Sequence, residues 1–234
     1  ARFWVMADAI HSRPFALNYG VTTGHSKANP DIKLLFGTGD GMFHVVENTI
    51  ASVGDNESGE EVFSFIPREL LGQFKRRMQS EKMGDGRHMR YGVDGEPVVL
   101  TLDANNDGSL IADDKDAAYV YFGLRRGGYG YYALDIIDAA NPVLQWKIYP
   151  TRDDANNSTF DELGLTFSTP VLTAVKYKNE AVDALIFGGG YHGGPDTSIA
   201  WDPGSPGAVQ IGKDINADDD PWGNAIYIVN AITG

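Results

Sequence analysis

The sequence predicts an all-β protein: a partial β-propeller of about three four-stranded antiparallel blades, with one short inserted helix. Residues 117–150 form the clearest repeat, because they contain three short runs rich in β-branched and aromatic residues, separated by turn residues. The pattern occurs once more upstream and once more downstream, and each copy follows a segment opened by a proline. Four short strands per repeat, joined by short turns, are typical of a propeller blade.

The central repeat shows the pattern most fully. Its predicted strands are residues 118–122, 129–135 and 143–149. Gly127, Gly128 and Gly130 separate the first two strands, and we expect these glycines to adopt the positive φ of a tight turn. The second and third strands are joined by residues 138–142 (DAANP), which are common turn residues.

The other two repeats set the predicted domain organisation. Strands are expected at residues 34–37, 42–47 and 59–67 upstream, at 184–188 and 223–230 downstream, and at a leading position beside Pro14, Pro97 and Pro170. The blade units are therefore residues 8–67, 91–150 and 164–234, the last without its outer strand. Because propellers need roughly four to eight blades, we expect residues 1–234 to be a segment of a single propeller domain in a longer chain.

One helix is predicted after the first blade, at residues 67–80. Pro67 suits the first helical position. Leu70, Phe74 and Met78 recur at helical spacing. We interpret the segment as a solvated helix packed on the propeller rim, with a partner-docking helix as the alternative.

Composition limits the classes of function. The 234 residues include 28 glycines and 11% aromatic residues, which suits a turn-rich β protein. A net charge of -13 argues against nucleic acid or an anionic membrane surface as a partner, and it favours cation binding. The absence of cysteine excludes disulfides and zinc–thiolate sites. No apolar run is long enough to be a transmembrane segment.

The acidic stretch from residue 103 to 114 has the spacing of an EF-hand-type calcium loop. Side chains that carry oxygen stand at positions 1, 3, 5 and 12, which are Asp103, Asn105, Asp107 and Asp114. A glycine stands at position 6, and Ser109 at position 7 can offer its carbonyl. Because this spacing folds hard oxygens around one point, we predict a Ca²⁺ ion bound by these five residues. The alternative is a solvated acidic turn.

The other motifs carry weaker signals. Residues 214–220 begin like a second calcium loop but lack the glycine, so a polar loop is favoured there, and residues 153–162 show no ligand spacing. The glycine-rich residues 37–41 precede a strand instead of a helix, which indicates a hairpin turn and not a dinucleotide motif. The histidines show no metal-ligand pairing, and His11 and His44 are interpreted as structural.

A set of short phrases, in order along nearly the whole chain, resembles one known family. The phrases are AIHSRP (9–14), GDGMFH (39–44), FIPRELL (65–71), RYGVDGEP (90–97), FGLRRGGYGYYALD (122–135), GLTFSTP (164–170), FGGGY (187–191) and GNAIYIVN (223–230). Together they resemble the C-terminal propeller of the PilY1/PilC family of type IV pilus tip-associated adhesins and biogenesis factors. The strand-into-helix phrase at 65–71 is the most specific of them.

The resemblance implies a quinoprotein-like propeller fold in a non-enzymatic module that acts in pilus assembly and adhesion. It implies minor pilins or the pilus tip as partners, a host surface receptor as a further partner, and a place on the surface of a Gram-negative bacterium. Two features depart from the family. Phe63 stands where the family often has tryptophan, and the blade around Asp103 carries an insertion. The family's best-known calcium loop is expected beyond Gly234.

Two other classes of protein compete with this interpretation. A quinoprotein-like dehydrogenase that depends on pyrroloquinoline quinone has similar repeated phrases. Against it, Trp146 alone represents the outer-strand tryptophans of that class, and the chain has no adjacent cysteine pair. An integrin-like calcium propeller is the third class, but Ile111 breaks its shorter ligand spacing.

Overall fold

The computed structural model describes residues 6–49, 58–71, 91–150, 159–191 and 223–234, and in these ranges the protein is built from strands. The strands there are β1 (Phe15–Gly20), β2 (Asp31–Gly37), β3 (Phe43–Glu47), β4 (Glu61–Phe65), β5 (Val98–Leu102), β6 (Ala117–Gly123), β7 (Tyr131–Asp135), β8 (Val143–Ile148), β9 (Val171–Tyr177), β10 (Glu180–Gly188) and β11 (Ile226–Asn230).

These strands form three antiparallel sheets that follow one another along the chain. The first sheet has the order β1-β2-β3-β4 and the second has the order β5-β6-β7-β8. The described part of the third sheet has three strands, with β10 between β9 and β11. The predicted all-β partial propeller of antiparallel blades is thereby confirmed. The exact bounds of the three blade units stay a prediction.

Each sheet has a proline before its first strand and a glycine at the end of its second strand. Its first strand begins directly after the predicted proline, at Phe15, Val98 and Val171. Its second strand ends at a glycine, at Gly37, Gly123 and Gly188. Proline has no N–H group to donate to a sheet, so it suits the position before a strand. Ser12 and Ser168, two residues before their prolines, accept hydrogen bonds from the N–H groups of Gly37 (2.8 Å) and Gly188 (3.1 Å).

The second sheet lies between the other two and takes part in two hydrophobic cores. On one face, Phe122 stacks on Phe43 of the first sheet, with 4.3 Å between ring centroids. On the other face, Tyr131 packs against Phe187 of the third sheet at 4.2 Å. Because successive residues of a strand point to opposite faces, β7 is buried on both sides. This explains why its first four residues, YYAL, are aromatic or apolar without alternation.

We call four buried tyrosines of these cores the core tyrosines: Tyr19, Tyr121, Tyr131 and Tyr132. Burial raises the pKa of each phenol, with nearby carboxylates adding to the effect at Tyr19, Tyr121 and Tyr132. Tyr19 donates its hydroxyl hydrogen to the carbonyl of Ile136 (2.5 Å), and Tyr132 donates to the carboxylate of Glu69. Tyr131 donates to the carbonyl of Ser168 (2.6 Å), so three of the core tyrosines act as neutral hydrogen-bond donors, whereas the Tyr121 hydroxyl has no hydrogen-bond partner among the described residues.

The turn between β6 and β7 differs from the prediction. None of Gly127, Gly128 and Gly130 adopts the left-handed φ of a tight turn, and Gly128 is extended, whereas Arg125 has a φ of 50°. A Cβ atom on Gly127 would lie 1.7 Å from the carbonyl oxygen of Gly92. The glycine is therefore required for the close approach of two backbones and not for the dihedral angle of a turn.

The helix predicted at residues 67–80 is described only at its start. Arg68–Leu70 form a 3₁₀ helix that follows Pro67, and the side chain of Leu70 is fully buried in the first core. Residues 72–80 lie outside the described part of the chain. Among the described residues, no helix has the length and the apolar character needed to cross a membrane.

Candidate metal centre

The predicted calcium loop connects β5 to β6, and its ends are tied together by Asp116. This aspartate is buried directly before β6, and its two carboxylate oxygens accept hydrogen bonds from the N–H groups of Ala104 (2.7 Å) and Ile111 (2.9 Å). Sequence reasoning missed Asp116 because it lies beyond the roughly twelve-residue spacing of the motif. The available signal was a charged residue placed directly against a strand that is buried on both faces.

The first half of the loop is curled by bonds from side chains to backbone. The carboxylate of Asp103 accepts from the N–H groups of Asp107 (3.3 Å) and Gly108 (2.9 Å). Asn105 Oδ1 also accepts from the N–H of Asp107 (3.0 Å), and Asp107 Oδ1 accepts from that of Ser109 (2.8 Å). Gly108 has a φ of 82°, which suits the sharp turn that the sixth position of an EF-hand loop makes.

The side chain of Asn105 joins the start of the loop to its end. Its Nδ2 donates to Asp107 Oδ2 (3.0 Å) and to Asp114 Oδ2 (3.3 Å), so positions 3, 5 and 12 meet around one amide group. Asp103, Asp107 and Asp114 do not yet bring three carboxylate oxygens within 4.8 Å of one another. The four side chains Asp103, Asn105, Asp107 and Asp114 are exposed or half-exposed oxygen donors on a loop, which is the type of site that calcium prefers. The residues present therefore fit a calcium ion.

Ser109 and its neighbour dock the loop on the first sheet. The Ser109 hydroxyl accepts from the N–H of Val21 (3.2 Å), and the N–H of Leu110 donates to the carbonyl of Tyr19 (2.8 Å). Ser109 and Leu110 are both buried, and Leu110 belongs to the core between the first two sheets. The loop thus connects two blades, and its order bears on how they pack.

His44 lies in a chain of hydrogen bonds that has the residue types of a hydrolase triad. Its Nε2 contacts Thr38 Oγ1 at 2.9 Å, and its Nδ1 contacts Glu61 Oε2 at 2.6 Å. Thr38 is 1% exposed and also donates to the carboxylate of Asp40, so its hydroxyl is closed to a substrate. These bonds order the turn between β2 and β3, and the hairpin predicted at residues 37–41 is confirmed.

The other predicted motifs are partly described. His11 pairs with Asp94 at 2.9 Å. His88, His192, residues 153–158 and the acidic stretch 214–220 lie outside the described part of the chain.

Comparison with known proteins indicates the family to which this chain belongs. A family model described as the PilY1 beta-propeller domain matches residues 8–197. The chain belongs to the PilY1 β-propeller family. The matched range contains the first two sheets, the predicted calcium loop, β9 and β10. The candidate metal centre therefore lies inside the PilY1 domain, and the resemblance seen in the sequence is confirmed.

Several PilY1 proteins are similar to this chain over most of its length. The type IV pilus biogenesis factor PilY1 of Pseudomonas aeruginosa strain PAO1 is 30% identical over 159 residues, covering 68% of this chain and 11% of that protein, and the PilY1 of strain PAK gives the same values. The PilY1 homolog of Xylella fastidiosa strain Temecula1 is 25% identical over 191 residues, covering 73% and 13%. This chain thus spans only 11–13% of the length of these relatives.

Among solved structures, the crystal structure of the P. aeruginosa PilY1 C-terminal domain is similar. The sequence identity is 26%, and the similarity covers 71% of this chain and 26% of that chain, with a TM-score of 0.43.

Proposed function

We propose that this chain is a non-enzymatic, calcium-binding propeller module of a type IV pilus-associated surface protein, and that it acts in pilus assembly and adhesion. The pilus assignment is supported by the relatives from P. aeruginosa and X. fastidiosa, which are named type IV pilus biogenesis factors. On this proposal the partners are minor pilins or the pilus tip, with a host surface receptor as a further partner. The location is the outer surface of a Gram-negative bacterium.

The loop between β5 and β6 is the observation that carries the calcium assignment. Asp103, Asn105, Asp107 and Asp114 would hold the ion through side-chain oxygens, and Ser109 would hold it through its carbonyl. The amide of Asn105 already draws two of the carboxylates together through its hydrogens. A bound calcium ion supplies the positive charge that allows several carboxylates to stay ionised in one place.

The ion would act through order and not through chemistry. Ser109 and Leu110 connect the loop to the end of β1, and Asp116 connects it to the start of β6. A loop whose carboxylates are neutralised by calcium holds these contacts in one arrangement, whereas mutual repulsion opens it. Calcium would therefore stiffen the junction of the first two blades and leave the sheets themselves unchanged.

The test is a calcium titration of the chelator-treated chain by calorimetry, combined with melting curves in calcium and in chelator. The wild type should bind one ion and melt at a higher temperature in calcium, because a ligand that binds only the folded state stabilises it. Asp107→Ala should remove most of that gain. Asp113→Ala is the matched control, since it removes the same charge from an exposed position of the same loop outside the ligand set.

Two results would contradict the proposal. Equal melting temperatures of the wild type in calcium and in chelator would leave a solvated acidic turn as the explanation of the loop. Reduction of a redox dye after addition of pyrroloquinoline quinone and calcium would contradict the non-enzymatic assignment.

A further inference from the structure

A second group of charged side chains is buried at the end of the first sheet on which the calcium loop docks. Asp31 and Lys33 are two residues apart on β2, and Lys33 lies opposite Glu47 of β3. His25, from the connection between β1 and β2, completes the group. The side chains of Glu47 and His25 are 1% and 5% exposed, and that of Asp31 is 13% exposed.

The hydrogen bonds of the group leave it short of positive charge. The Lys33 ammonium donates to Asp31 Oδ1 (2.5 Å) and to Glu47 Oε2 (2.7 Å), so one cation serves two carboxylates. Buried carboxylates need full pairing to stay ionised. The group lacks one positive charge as long as the imidazole of His25 is neutral.

The contacts of Thr22 fix which nitrogen of His25 carries hydrogen. The hydroxyl of Thr22 donates its one hydrogen to Asp31 Oδ2 (2.7 Å), and the same oxygen contacts His25 Nδ1 at 3.0 Å. Nδ1 must therefore be the donor in that contact. In the neutral ring Nε2 then carries a free lone pair, which is the form of imidazole that binds metals.

Two atoms of the group are buried without a hydrogen-bond partner among the described residues: His25 Nε2 and Glu47 Oε1. Such atoms are rare in folded proteins and call for an explanation. His25, Asp31 and Glu47 each offer one ligand atom, and these atoms lie within 4.8 Å of one another. An imidazole nitrogen, two carboxylates and a missing positive charge are together what a metal ion would satisfy.

We propose that His25, Asp31 and Glu47 bind a divalent transition-metal ion such as Zn²⁺, and that the ammonium of Lys33 moves aside when the ion binds. One nitrogen and two carboxylate oxygens suit zinc and its neighbours better than calcium or magnesium, which prefer oxygen ligands alone. Two positive charges on the ion balance the two carboxylates, so Lys33 is no longer needed there. Lys33 has a long flexible side chain, which can carry its ammonium away from the pocket.

The surroundings of the site favour a cation as well. Tyr19 lies beside the group, and the pKa of its hydroxyl is raised by burial first and then by the negative charges of Asp31, Asp138 and Asp135. Two of these aspartates come from the second sheet and its following turn. The metal would thus lie where negative charge from two blades converges. This inference requires neither calcium binding nor the pilus assignment.

The test is a Zn²⁺ titration by calorimetry on the metal-stripped chain in excess calcium, with Co²⁺ absorption as a second readout of a low-coordinate nitrogen–oxygen site. The wild type should bind one Zn²⁺. His25→Gln should weaken binding at least ~10-fold, since even residues behind a ligand commonly cost that much. Lys33→Met should tighten binding because it removes the competing ammonium. Glu180→Gln, at an exposed position of the third sheet, should leave zinc binding unchanged.

Three outcomes would overturn the proposal. The first is zinc binding that His25→Gln leaves unchanged, which would indicate exposed carboxylates elsewhere. The second is binding by Lys33→Met but not by the wild type, which would make Lys33 the resident cation of the group. The third is a His25 ring whose nuclear magnetic resonance signals respond to acid but not to zinc. His25 lies in a connection outside the strands, so its variant tests the site even if Glu47→Gln does not fold.

Discussion

The carboxylate of Asp116 offers the sharpest test of how the calcium loop is built. Its two oxygens accept hydrogen bonds from the N–H groups of Ala104 (2.7 Å) and Ile111 (2.9 Å), one on each side of the predicted ligands. Asp116→Asn keeps the size and shape of the side chain. It replaces one acceptor oxygen by an NH₂ group, which would then face a backbone N–H. The change therefore removes one bond without opening a cavity.

The expected loss follows from the type of bond. A hydrogen bond to a charged group contributes about 1.5–3 kcal/mol, and Asp116 is 7% exposed, so water replaces little of it. For a slope of about 2 kcal/mol per molar urea, the unfolding midpoint should fall by roughly 1 M. Calcium affinity should fall too, because a loop whose ends are released must be ordered by the ion.

Urea unfolding followed by circular dichroism, in calcium and in chelator, measures both effects. Asp113→Asn is the control, since Asp113 is exposed on the same loop. This variant should have the same urea midpoint of unfolding as the wild type. If Asp116→Asn and Asp113→Asn unfold at the same urea concentration, Asp116 does not clamp the loop and the reasoning is wrong. A lower midpoint with unchanged calcium affinity would separate the clamp from the metal site.

Two further predictions concern the sheets. Gly37→Ala should destabilise the chain by about 1–3 kcal/mol, since its Cβ would lie 2.2 Å from the carbonyl oxygen of Val93. Gly188→Ala, at the equivalent place in the third sheet, meets its nearest described atom at 3.9 Å and should change the melting temperature little. In alkali, stability should fall as pH rises above 10.0, because phenols exposed by unfolding lose protons that the core tyrosines, with raised pKa values, keep. Full tyrosinate absorbance at 295 nm with an intact sheet signal in circular dichroism would contradict this.

Much of the fold could be predicted because the same turn and strand-boundary residues recur in each repeat of the sequence. Pro14, Pro97 and Pro170 each precede a strand, and the residue types around them are sufficient to place the leading strands. The hairpin at residues 37–41 was predictable for a similar reason, since a strand and not a helix follows its glycines. Local rules of this type need no knowledge of distant contacts.

The features that sequence reasoning missed depend on contacts between distant segments. Gly127 resembles a turn glycine, but the carbonyl of Gly92, from the segment that leads into the second sheet, is what excludes a side chain there. His25 resembles a loop histidine until β2 and β3 bring Asp31 and Glu47 beside it. Neither contact leaves a trace in spacing along the chain, because the partners are set by how strands and blades pack.

Contacts between blades also explain why short sequence phrases identify this family more clearly than any single site. In the first two sheets, the glycine that ends the second strand lies against the segment that leads into the next blade. The N–H of Val93 donates to the carbonyl of Thr38 (3.0 Å), and the N–H of Leu124 donates to the hydroxyl of Thr166 (2.8 Å). These residues lie within or beside the phrases that resemble the family. The phrases therefore describe how one blade docks on the next, through backbone atoms that approach too closely for a Cβ. The predicted ligands Asp103, Asn105, Asp107 and Asp114 lie outside these phrases, so their side chains can vary without changing the backbone contacts that the phrases describe.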